Sequence, residues 1–213
     1  MASHYDSEYF AWQKVGGQFG GEANLIKFES FIKPEDRVVD FGCGGGFLLK
    51  KLNCREKMGV EINPYAIKHA KSLGLSIVES PHLIPDEWAD VIVSDNCLEH
   101  TSNPLGEIKA LYPKLKKGGR MIFVVASETI LMRYKTTDIN HHLFSWSPLS
   151  LGNLFKEAGY RVIKSEPFIH KWPPQHDALR ALVKKNMFDF ICRIYGHLKW
   201  DWFQVRIIAT RDS

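Results

Sequence analysis

Four glycines in five positions, Gly42 and Gly44–Gly46, stand between the apolar run VVDF and the helix-like GFLLKKL. Glycine weakens a strand or a helix by roughly 0.5–1 kcal/mol relative to alanine. A bare backbone at that junction therefore implies either a nucleotide-type ligand against the turn or a tight, closely packed corner. The spacing separates ligand classes. In the dinucleotide register the third glycine is replaced by Phe47, which disfavours a pyrophosphate and a nicotinamide-dependent oxidoreductase; no GK[ST] follows, which disfavours a P-loop. What stands is Asp40-x-Gly42-x-Gly44-x-Gly46. A carboxylate ending the strand suits a ligand that presents an ammonium group, because it would repel phosphates. Glu61 lies 19 residues beyond Gly42, where an acidic side chain can accept from ribose hydroxyls. An amino-acid end at the turn and a ribose at Glu61 describe S-adenosylmethionine.

A second polar group is DINHH, Asp138 to His142. Histidine titrates near neutral pH, so His141 or His142 could take a proton from an incoming hydroxyl, with Asp138 orienting the ring. The alternative role is to tie this loop to the helix after it. His100 reads as a helix-start residue or capping partner rather than a base. The four cysteines show no metal-ligand spacing, Cys43 reads as a small residue within the turn, and no metal is expected.

The elements that must position these groups alternate. Strand-like runs occur at 37–41, 57–61, 75–79, 89–95, 120–125, 160–166 and 203–211, with helical segments between them. Apolar, unalternating strands separated by helices predict a parallel sheet covered on both faces, a doubly wound α/β domain with ligands beyond the carboxyl ends of the strands. Asn63-Pro64 and Asn103-Pro104 start helices, and Gly118-Gly119 is expected to end a helix before the fifth strand. EANLIKFESFIK, at residues 22–33, is predicted as a helix within an N-terminal cover, 1–34. Residues 127–147 are predicted as a lid or substrate loop, and 177–195 as one amphipathic helix. The whole chain, 1–213, is expected to be a single domain.

With 213 residues and 45% hydrophobic content the chain can bury one sizeable core. No apolar run is long enough for a membrane span, and MASHYDSEYF lacks the basic start and apolar core of a signal peptide, so a cytoplasmic location is expected. The surplus of basic residues belongs to 161–213, with 10 Lys/Arg against 5 Asp/Glu. Nucleic acid or a membrane surface could attract such a segment; completing the fold is the plainer role.

The pieces VVDFGCGGG, GVEINPYAIKHAK, ADVIVSDNCLEHTSNP, LKKGGRMIFVV and FSWSPLSLGNLFKEAGYRV resemble, in order, the class I S-adenosylmethionine-dependent methyltransferases, over about residues 35–166. The DNCLEH form is most similar to the branch that methylates small molecules such as quinone precursors. The resemblance implies a seven-stranded Rossmann-like sheet of order 3-2-1-4-5-7-6 with the last strand antiparallel. It also implies S-adenosylmethionine as cofactor and a small-molecule acceptor. By motif, Asp40, Gly42, Cys43 and Gly44 would line the methionine end, and Glu61 would bind the ribose. Ile62 and Asn63 would border the adenosine. Asp95 and Asn96 would sit beside the sulfonium and substrate. Glu79-Ser80-Pro81-His82 replaces the family's acidic-small pair, which leaves Ser80 as the adenine-side candidate. Base-amine methylation of nucleic acid is disfavoured, since SDNC stands where such enzymes carry an NPPY- or DPPY-type tetrapeptide. RNA or protein methylation, and a non-catalytic cofactor-binding domain, are the alternatives.

Overall fold

The sheet exists because its central strands are apolar on both faces. In the computed structural model, which describes residues 4–212, β1 (Arg37–Phe41), β2 (Glu56–Val60), β3 (Ser76–Val78) and β4 (Ala89–Asp95) are followed by β5 (Leu115–Glu128), β6 (Arg161–Phe168) and β7 (Trp202–Thr210). Val39, Phe41 and Ile92 point into one core layer, with Ile108, Leu151 and Phe155 of the covering helices. Val38, Val91 and Val93 point into the other, with Leu49, Ile67 and Ala70. A period of two, apolar in both phases, needs helices on both sides.

The strand order is β3-β2-β1-β4-β5-β7-β6. The β1–β2, β1–β4, β2–β3 and β4–β5 pairs are parallel, and β7 runs antiparallel to both β5 and β6. The basic C-terminal segment thus supplies an interior strand, with Val205, Ile207 and Ala209 buried. Helices α2 (Phe47–Lys51), α3 (Pro64–Ser72), α4 (Pro104–Leu111) and α5 (Pro148–Glu157) fill the connections. The Asn63 side chain accepts from the Tyr65 and Ala66 N–H groups, Asn103 accepts from Gly106 N–H, and Ser147 closes a capping box with Ser150.

Four expectations are corrected. The N-terminal helix is α1, Ser7–Ala23, not residues 22–33; the latter form two short 3-10 turns, Asn24–Lys27 and Glu29–Phe31. Gly118-Gly119 does not end a helix. The pair lies inside β5, where the register to β4 jumps from Ala89↔Leu115 to Val91↔Arg120 and Gly118 has φ 73°. β5 also continues through residues 127 and 128, so the irregular loop starts at 129. The segment 177–195 is two helices, α6 (His176–Leu182) and α7 (Lys185–Leu198). Among the described residues no helix is long and apolar enough to cross a membrane.

Candidate active site

The turn after β1 is held by Glu61, which follows β2. One carboxylate oxygen of Glu61 accepts from Gly44 N–H at 2.8 Å, and the other accepts from Ile62 N–H at 2.8 Å and Asn63 N–H at 2.9 Å. Burial raises the Glu61 carboxyl above its ordinary value while these three donors pull it back. Gly42 (φ 75°) and Gly44 (φ 52°) adopt backbone that L side chains avoid. A Cβ at Gly42 would collide with the Cys97 thiol, and one at Gly44 would lie 2.9 Å from Gln13 Oε1. The glycines thus answer to packing and backbone conformation, since a side chain at either position would strike Cys97 or Gln13.

Asp40 is buried beneath this turn at 2% exposure. Burial, then the neighbouring Asp95 and Glu61 charges, push its carboxyl up to about 8. Asp95, at the end of β4, accepts from Lys27 Nζ at 2.7 Å and from Asn24 Nδ2 at 2.8 Å. That ties the segment after α1 to the strand ends. Asn96 sits at φ 52°, and its side-chain oxygen accepts from Gln204 Nε2 at 2.9 Å. The interior strand β7 therefore sets the position of a residue at the site. The Cys43 thiol points into the core layer that holds Leu49 and Ile67, and burial pushes its pKa up.

A cavity of about 540 Å³ opens beside the turn, within the range of small-molecule sites. Of the residues predicted to border the cofactor, Gly42, Glu61, Ile62, Asn63, Ser80 and Asn96 line it; Asp40, Cys43, Gly44 and Asp95 lie outside the lining. His141 and His142 also lie outside it. Asp138 orients neither ring. Its carboxylate accepts from the backbone N–H groups of Asn140 (3.3 Å) and His141 (3.0 Å), while the His141 ring packs on His4 at 4.6 Å. His142 Nδ1 donates instead to Glu128 Oε1 at 2.8 Å.

The sequence reading missed two contributors. Tyr5, Tyr9 and Gln13 cover the cavity from the N-terminal side. Their i, i+4 spacing and the cap at Asp6, which accepts from Glu8 and Tyr9 N–H, were the available signals. Asn63 Nδ2 donates to Asp6 O at 3.2 Å and fixes that helix start over the site. The other contributor is His100, which lines the cavity from the 3-10 turn Leu98–His100 after β4. Burial lowers its pKa to about 4, so the imidazole is neutral near pH 7.

The family profile described as a methyltransferase domain matches residues 18–165. An uncharacterized methyltransferase of Schizosaccharomyces pombe (strain 972 / ATCC 24843) is 34% identical over 231 residues, covering 85% of this chain and 88% of that protein. A ribosomal protein L11 methyltransferase of Ralstonia pickettii (strain 12J) is 32% identical over 99 residues, or 44% of this chain; the match spans only 33% of that protein's length. A SAM-dependent methyltransferase structure from Thermotoga maritima superposes with a TM-score of 0.68 at 19% identity, over 96% of this chain and 95% of that one. At that identity the likeness shows the fold. The Gly42 backbone and the Glu61 carboxylate, which both line the cavity, fit S-adenosylmethionine, a ligand whose ribose a carboxylate can bind. This chain belongs to the methyltransferase domain family, as an S-adenosylmethionine-dependent methyltransferase domain.

Proposed function

We propose that this domain transfers the methyl group of S-adenosylmethionine to a small-molecule acceptor. The observation that carries the reading is the covered cavity: Tyr5, Tyr9 and Gln13 lie over one side, the Glu61 end offers the cofactor contacts, and His100 to Asn103 line another wall. A site with such a cover favours a compact acceptor over an extended chain. Gly42, Glu61, Ile62, Asn63, Ser80 and Asn96 are the proposed cofactor neighbours. Asp95, paired with Lys27, acts from behind them through charge and position, and the buried Asp40 through position. The N-terminal segment serves as cover, and the loop from 129 to 147 serves as lid.

The reaction asks little of the protein beyond placement. The acceptor's lone pair forms the new bond to the methyl carbon, the carbon–sulfur bond breaks, and the thioether leaves neutral, so no acid is needed. Holding the acceptor in line with the sulfonium supplies most of the rate. A hydroxyl acceptor also loses its proton. His141, packed on His4 outside the cavity, is not assigned that role.

The test uses purified protein, methyl-labelled donor and cell extract separated by mass. Label in the low-mass fraction is the expected result. Label in protein instead would favour the second reading, a protein acceptor, to which the partial likeness to ribosomal protein L11 methyltransferases points. Failure to bind S-adenosylhomocysteine in calorimetry would overturn both.

A further inference from the structure

Three buried polar atoms near the wall of the cavity have no partner: Tyr5 Oη, Glu99 Oε2 and His100 Nδ1. An unpaired buried polar group is costly, so such a convergence needs an explanation. Glu99 is fully buried, and its other oxygen accepts from Ala126 N–H at 2.9 Å, which locks the carboxylate in place. His100 follows it in the same turn, and its ring stands edge-on to the ring of His142 with centroids 4.8 Å apart. Glu99, His100 and His142 each offer one ligating atom, and these atoms lie within 4.8 Å of one another.

From this juxtaposition we infer that Glu99, His100 and His142 form a binding site for one divalent transition-metal ion of the zinc class, beside the cavity wall that His100 lines. The chemistry of the donors fits. Two imidazoles and one carboxylate are a common ligand set for zinc and iron(II), and they leave a coordination position open. The second shell fits as well. His142 Nδ1 donates to Glu128 Oε1 at 2.8 Å, the carboxylate–histidine arrangement that fixes the ring and leaves the other nitrogen to ligate. Loop geometry holds the group together: Leu143 N–H and Phe144 N–H both donate to the Glu99 carbonyl, at 2.8 and 3.2 Å. No sequence motif announces the site, because the Glu99-His100 pair and His142 come from loops after different strands.

The inference deepens the proposed function and rests on it for one point only, that the cavity receives the acceptor. An acceptor oxygen entering the open position would be polarised by the ion, and a hydroxyl there would release its proton to solvent more readily. His142 would then act as a ligand, not as a base.

The test separates the ion from the reaction. Chelator-treated full-length protein is titrated with cobalt(II), read by visible absorption, and with zinc(II), read by calorimetry. One equivalent is expected to bind, with the tetrahedral or five-coordinate cobalt spectrum of a nitrogen- and oxygen-ligated site. His142→Ala should lose at least ~10-fold in affinity, and Glu128→Gln about 10–100-fold, the range for second-shell partners. Because Glu99→Gln alters a fully buried group and could fail to fold, these two partly exposed positions carry the decision. Absence of cobalt binding, or unchanged affinity in His142→Ala, overturns the site. S-adenosylhomocysteine binding is measured in parallel: cofactor without metal sinks this inference alone, and metal without cofactor sinks the methyltransfer reading alone.

Discussion

The turn after β1 and the loop after β5 sit on the same rim of the sheet, yet they are built differently. The first is pinned within a short stretch of chain. Glu61 closes three backbone hydrogen bonds, one of them to Gly44, and Asp40 is buried beneath. The second exposes Ile130, Leu131 and Tyr134 to solvent, and is tied down at its far end by His142 on Glu128 and by the Glu99 carbonyl. On the proposed function the first is the cofactor half, closed by its own backbone contacts. The second belongs to an acceptor half assembled from the N-terminal segment, the turn after β4 and the β5 loop, three segments far apart in sequence. Changes in the first should cost binding of a shared cofactor; changes in the second should alter what is methylated.

The harshest way to break the comparison is to remove the strand that serves both halves. β7 lies between β5 and β6 and sends Gln204 to Asn96. Deleting residues 200–213 should leave insoluble or unfolded protein. A cooperative melt of the truncated chain would show instead that the segment is a detachable basic arm.

Next in size is Glu61→Ala. Calorimetry should show S-adenosylhomocysteine binding weakened by about 1.5–3 kcal/mol, the range for hydrogen bonds to a charged group. The melting temperature should also drop, because Gly44, Ile62 and Asn63 N–H lose their acceptor. Unchanged affinity would remove Glu61 from the site, and tight NAD binding by the wild type would undo the cofactor assignment.

Asp40→Asn probes stability in the ligand-free state. The folded carboxyl is raised from 3.8 to about 8 by burial and by Asp95 and Glu61. The native state therefore keeps a proton that the unfolded chain releases between about pH 4 and pH 8. Stability contributed by this group is fully present below about pH 4 and lost as pH rises through 8. The asparagine variant should flatten that slope and melt higher than wild type at pH 8, where each unit of relieved shift corresponds to ~1.4 kcal/mol. Parallel melting curves of the two proteins from pH 5 to pH 8.5 would contradict this.

The smallest effect is expected at His141. Its ring lies against His4, so His141→Ala should leave turnover within about twofold once an acceptor is known. A loss of ~10²-fold with cofactor affinity intact, the usual size of a general-base contribution, would restore it as a base.

Much of the cofactor half was legible because its signals are local. RVVDF and ADVIVSD are β1 and β4 to the residue, since strands apolar in both phases carry their own signature. Asn-Pro pairs marked α3 and α4 for the same reason: a cap and its helix are neighbours in sequence. α1 was not legible, because KVGGQFGG carries glycine pairs that local propensity counts against a helix. Its reason is tertiary. A Cβ at Gly17 would lie 2.5 Å from the Phe47 ring, and one at Gly21 would lie 2.6 Å from the Phe47 carbonyl oxygen, so the glycines let α1 close onto α2. Phe47 itself, read only as a missing third glycine, is the surface that α1 packs against.

The sequence alone determined the doubly wound sheet, the glycine turn with its two carboxylates, and a ligand of the S-adenosylmethionine type, because each depends on residues a few positions apart or on strand periodicity. Tertiary structure alone decided that Tyr5, Tyr9 and Gln13 roof the cavity, that Asp138 serves its own loop's backbone, and that His142 meets Glu99 and His100. Those contacts join segments whose separation in sequence carries no period and no motif, and only chain closure around the sheet brings them together.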